Sequence, residues 1–149
     1  MTAVARVLTH PRTVVLAQLL VGLVFLAAAL AKIGDAGTFA RQIHHYRLLP
    51  FGLENLMAIT LPWIELMAAL AILLRLRPQA GSAVAAGLMA LFVAVVATAV
   101  ARGLDIECGC FGTADAGRVG VAKLLENLGL LALAVAASRR PTAEGASGS

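Results

Sequence analysis

The only two cysteines of this chain stand two positions apart, in Asp105-Ile106-Glu107-Cys108-Gly109-Cys110-Phe111-Gly112. Thiols this close suit thiol–disulfide exchange first and soft-metal binding second. A disulfide needs Cα atoms about 4.4–6.8 Å apart. An extended i, i+2 pair sits near that upper limit, so the backbone must bend, and Gly109 supplies the freedom. So small a ring is strained, and strained, exposed disulfides are the labile, redox-active ones. As a staple it would constrain almost nothing in the unfolded chain. Idle thiols fit less well, because the pair is isolated, outside the apolar runs and flanked by glycines. Glu107 and Asp105 oppose thiolate formation, whereas Arg118 and Lys123 favour it.

Ionisable residues inside apolar runs form the second signal. Glu65 lies within Leu56–Leu74, and Lys123, Glu126 and Asn127 recur at i, i+3, i+4 on one face of a later run. A carboxylate at the centre of a bilayer costs roughly 2.5–3.5 kcal/mol on insertion scales and defaults to a functional role. The competing role is a structural Lys–Glu pair between helices. Lys32 ends the first run, where an interfacial anchor would stand. Pro62 and Trp63 precede Glu65, and Pro62 can kink its helix. His44 and His45 could join the cysteines in a metal set, but adjacent helical residues point about 100° apart, so solvated histidines are the expectation.

The elements that must position these residues are apolar. Hydrophobic residues make up 60% of the 149 and charged ones 13%, with a mean hydropathy of +0.90. Soluble domains hold about 25% charged residues, so an ordinary soluble globule, a disordered chain and a disulfide-dense module are excluded. The net charge of +4 comes from 12 Lys and Arg scattered singly and in pairs, with no basic stripe for nucleic acid. Four runs, 14–31, 56–74, 83–101 and 121–137, fall within the range of about 17–25 residues that spans a bilayer. They lack period-2 alternation, so the expected fold is all-α: a single four-helix membrane domain over residues 1–140. The start of the chain resembles a signal peptide ending at Ala29-Leu30-Ala31, but its apolar stretch is longer than usual and Lys32 closes it.

Even spanning places both ends of the bundle on one side with the Arg75–Gly81 turn, and the cysteine loop opposite. Arg6, Arg12, Arg75, Arg77, Arg139 and Arg140 fall on the first side; Lys32, Arg41, Arg47, Arg102, Arg118 and Lys123 fall on the second. The first set is denser near span ends, which makes it the cytoplasmic side. Phe39, Ile43 and Tyr46 recur at i, i+4, i+7 between the first two runs, with Asp35 or Thr38 to cap and Pro50 to stop. That pattern predicts an amphipathic helix on the membrane surface. Residues 141–149 are small and polar and read as a disordered tail.

The sequence resembles the methylamine-utilisation MauE family within the DoxX-like membrane proteins. The matching pieces are Leu30-Ala31-Lys32-Ile33, then Phe39-Ala40, Ile43 and Tyr46-Arg47-Leu48-Leu49-Pro50. Leu61-Pro62-Trp63-Ile64-Glu65-Leu66 follows, and then Arg102-Gly103 before Cys108-Gly109-Cys110-Phe111-Gly112. Where the family carries a basic residue before an asparagine, this chain has Glu126-Asn127. The resemblance implies a multi-pass protein of the bacterial cytoplasmic membrane with its cysteines outside. It implies disulfide exchange between Cys108, Cys110 and an extracytoplasmic thioredoxin-like partner. A quinone, ubiquinone or menaquinone, would take the electrons near Glu65, Lys32, Trp63 and Asn127. Metal or metalloid handling by the cysteine pair and a non-catalytic maturation scaffold are the alternatives; a homo-oligomer is compatible with either.

Overall fold

Each apolar run closes into a helix because no backbone group can be left unpaired in lipid. The computed structural model describes residues 3–106 and 119–140. Its helices are α1 (Ala3–Thr9), α2 (Pro11–Gly34), α3 (Ala36–His45), α4 (Leu53–Leu73), α5 (Pro78–Ala101) and α6 (Val121–Ser138). Among the described residues α2, α4, α5 and α6 are long and apolar enough to cross a membrane. Cys108, Cys110, Glu107, Arg118 and the 141–149 tail lie outside the described residues.

Local chemistry sets the helix ends. Pro11 and Pro78 open α2 and α5, where a missing N–H costs nothing. Asp35 closes α2 and caps α3, its carboxylate accepting the Thr38 N–H at 3.1 Å. α5 ends in a Schellman turn: Gly103, at φ +65°, donates to the Val100 carbonyl and Leu104 donates to Ala99. After α3 and α4 the same left-handed position is held by Arg47 (φ 52°) and Arg75 (φ 58°). The turn expected at Arg75–Gly81 is shorter than that, since α5 begins at Pro78 and Gly81 lies inside it.

The four long helices form a closed square in which α2 and α5 each pack between α4 and α6. Val21, Phe25, Ala69, Ile72, Ala85 and Ala134 form its centre. Small residues let the backbones approach, as membrane helices require; a Cβ on Gly81 would stand 2.9 Å from the Ala68 carbonyl oxygen. Leu16, Leu20, Leu23, Ile59 and Met67 face outward, the pattern of a bundle solvated by lipid. At the end shared by the termini, Gln18 donates to the Ala137 carbonyl at 3.0 Å and accepts from Arg75, tying three corners together.

The stripe on α3 serves a different purpose from the one expected. Phe39 and Tyr46 are buried, and Phe39 packs with Ala58 and Leu61 of α4. The apolar face of α3 is thus turned onto the protein, and Gln42, expected on the polar face, is buried with it.

Candidate functional site

Lys32, in the last turn of α2, is fully enclosed, contrary to the anchor expected there. Its Nζ lies 2.6 Å from Oε1 of Glu65, which is 1% exposed on α4. The reason is α3: by folding back over the end of α2 it closes the route by which a lysine would snorkel outward. The ammonium also stands 5.0 Å from the ring centroid of Phe39 on α3 and 4.7 Å from that of Phe92 on α5. Four elements therefore meet on one cation. Burying two charges costs several kcal/mol each. The direct pair offsets part of that, and two ring faces contribute about 0.5–2 kcal/mol apiece. Glu65 is the thirteenth residue of α4, so at about 1.5 Å per residue the pair sits some 18 Å below the end of that helix. Glu65 Oε2 is buried with no hydrogen-bond partner among the described residues.

Beside this pair is a cavity of about 230 Å³ between α3, α4 and α5. Phe39, Ile43, Tyr46, Leu48 and Leu49 line one wall, Met57 and Leu61 a second, and Leu91, Phe92, Val95 and Val96 the third. Phe39 and Phe92 belong both to the cavity wall and to the cover of the ammonium. Burial pushes the Tyr46 phenol well up from its ordinary value, so it stays a neutral hydroxyl at this wall. Sequence reasoning missed this cavity because it assigned the α3 stripe to the membrane surface. The one available signal was the shared period of Phe39, Ile43 and Tyr46, which fits protein or lipid equally.

One residue links the cavity wall to the flanks of the cysteine segment. Val96 lines the cavity and also packs with Val100, Val119 and Leu124. The Val119 N–H donates to the Ile106 carbonyl at 2.8 Å, so the two described residues that flank segment 107–118 are held together.

The other expected site residues are dispersed. Asn127 is fully buried on α6, and Lys123, largely buried, lies 3.2 Å from the half-exposed Glu126. Trp63 is 54% exposed on the side of α4 away from Glu65. It lines a shallow outward groove with Met67, Arg77 and Val84 instead. Residues two positions apart on a helix point about 200° apart, which is why Trp63 and Glu65 face different sides of α4. His44 Nδ1 lies 3.3 Å from Glu54 Oε1, and Gly52 donates to Oε2 at 3.1 Å, so His44 clips the α3–α4 turn. Among the described residues no three His, Cys, Asp or Glu side chains gather as metal ligands.

Comparison with known proteins adds a family. The family model described as "Methylamine utilisation protein MauE" matches residues 10–139. The methylamine utilization protein MauE of Methylophilus methylotrophus is 35% identical over 127 residues, covering 84% of this chain and 67% of the relative. That of Paracoccus denitrificans is 35% identical over 132 residues, covering 87% and 70%. The Methylorubrum extorquens protein is 34% identical over 90 residues, covering 60% and 48%. No solved structure matches.

Proposed function

This chain belongs to the MauE family, and from that premise we propose that it is a membrane thiol–disulfide oxidoreductase working through Cys108 and Cys110. The supporting observation is an apolar cavity that shares Phe39 and Phe92 with the cover of the buried Lys32–Glu65 pair and Val96 with the packing beside the cysteine segment. A partner thiolate attacks one sulfur of the Cys108–Cys110 disulfide and forms a mixed disulfide. The second partner thiolate then displaces it. The partner becomes a disulfide and the pair becomes a dithiol, with two electrons and two protons transferred. The partner we propose is an extracytoplasmic thioredoxin-like protein.

Returning the pair to the disulfide needs a two-electron acceptor. A quinone, if held in the cavity, would supply that oxidising power by accepting two electrons and two protons. The residues suit such a group: walls almost wholly apolar, and two phenyl rings, Phe39 and Phe92, for a planar ring to pack on. Phe39 and Phe92 orient the ring and exclude water. The Lys32–Glu65 pair, which shares those two rings with the cavity, would carry protons to and from the site. The apolar walls do not suit methylamine, so the setting named for the relatives, methylamine utilisation, enters here as maturation of a disulfide-bearing client. The proposed address is the bacterial cytoplasmic membrane, with both termini inside and the cysteines outside.

Trapping tests the exchange step. Cys108→Ser and Cys110→Ser variants are each incubated with a thioredoxin-like protein whose resolving cysteine is replaced by serine. Its remaining cysteine carries glutathione as a mixed disulfide, so that glutathione leaves and no second thiol reverses the step. One of the two is expected to accumulate a covalent adduct that dithiothreitol releases. Absence of an adduct from both variants contradicts the exchange role.

A further inference from the structure

Arg102 caps a helix that is not its own. Its guanidinium donates to the Tyr46 carbonyl at 2.7 Å, the carbonyl that closes α3. That is the negative end of the α3 dipole, where a cation is favoured. Both ends of this bond are fixed by backbone geometry. On one side the Schellman turn at Gly103 sets the direction in which Arg102 leaves α5. On the other, Arg47 at φ 52° turns the chain away after Tyr46. Tyr46 belongs to one wall of the cavity and α5 supplies the wall with Leu91, Phe92, Val95 and Val96, so the bond ties the elements of two walls together.

We infer that Arg102 is a positioning residue: it latches α3 against α5, and so sets how deeply Phe39 closes over Lys32 and how wide the cavity opens. α3 is otherwise seated mainly through its contacts with α4, with fewer to α2. Released from α5, it carries Phe39, Ile43 and Tyr46 away from Leu91 and Phe92, and the cavity loses one of its three walls. The identity of the occupant rests on the quinone reading above; the latch itself does not.

The test has two readouts in detergent-solubilised full-length protein. The first is labelling by N-ethylmaleimide of a Leu49→Cys reporter, in a Cys108→Ser, Cys110→Ser background. Arg102→Ala is expected to speed labelling severalfold, and Arg102→Lys, which keeps one donor for the carbonyl, to return most of the way. Unchanged labelling in Arg102→Ala, with the helical circular dichroism of the parent, overturns the latch. The second is equilibrium binding of decylubiquinone. If the loss of the latch leaves α3 seated a tenth of the time, apparent affinity falls about tenfold. Equal affinity in the parent and Arg102→Ala also overturns the inference. A parent that binds no decylubiquinone sinks the quinone reading instead, and labelling then decides the latch alone.

Discussion

At the scale of residues, the account turns on Lys32 and Glu65, enclosed at 0% and 1% exposure. Removing one partner of a buried pair leaves an uncompensated charge, which costs about 3–5 kcal/mol. Lys32→Met and Glu65→Leu are each expected to lose that much in thermal unfolding. The double variant should recover most of it, because apolar replacement of a whole buried pair is near neutral. It should still fail to reduce quinone; full activity in the double variant would make the pair purely structural. A smaller effect belongs to Asp35, whose carboxyl is held below the ordinary range by hydrogen bonds from Thr38, side chain first and backbone second. Its folded value is thus below its unfolded one. Its contribution is present above about pH 3.9 and is lost as the pH falls through the lowered folded value. Protection of the Thr38 amide from exchange should drop in acid in the parent and stay level in Asp35→Asn, which keeps a capping oxygen. Glu65 was legible in the sequence as a charge in apolar surroundings, and Lys32 only as a charge at the end of an apolar run. Their partnership with Phe39 and Phe92 was not, since a ring on an amphipathic helix has the same pattern whether it faces lipid or an ammonium.

Elements were legible where hydropathy alone decides them and obscure where a backbone turn does. Four apolar runs announced α2, α4, α5 and α6. The start of α5 was misplaced because Gly81 reads as a turn residue, when it is needed for close packing. A Cβ there meets Ile72 Cγ1 at 2.8 Å and the Ala68 backbone oxygen at 2.9 Å, and backbone cannot swing aside. At Gly22 the neighbour is the Leu73 side chain at 2.8 Å, which can rotate. Gly81→Ala is therefore expected to cost about 1–3 kcal/mol, and Gly22→Ala less, by thermal unfolding of each variant. Gly103→Ala, at φ +65°, should cost about 1 kcal/mol by forcing a left-handed alanine. The cross-helix bond from Arg102 could not be read in advance, because its acceptor is a main-chain carbonyl that every residue has.

The whole molecule is a four-helix membrane bundle with a polar tie at one end, Gln18 with Arg75 and Ala137, and a cavity at the other. Composition announced the membrane; the direction of the bundle rests on the density of arginines beside the shared termini. A fluorescent protein fused after Ser149 should fluoresce in intact cells, while a membrane-impermeant maleimide, added after a membrane-impermeant phosphine reductant, labels Cys108 and Cys110 from outside. Labelling only after lysis would invert the topology and place the exchange partner in the cytoplasm. The central claim, that this bundle carries electrons from a dithiol to a quinone, has one direct test. Purified protein in lipid nanodiscs is given reduced thioredoxin-like protein and decylubiquinone, and quinol formation is followed in the ultraviolet. The account predicts turnover that vanishes in the Cys108→Ser, Cys110→Ser variant; quinol formation at the same rate in that variant would contradict it.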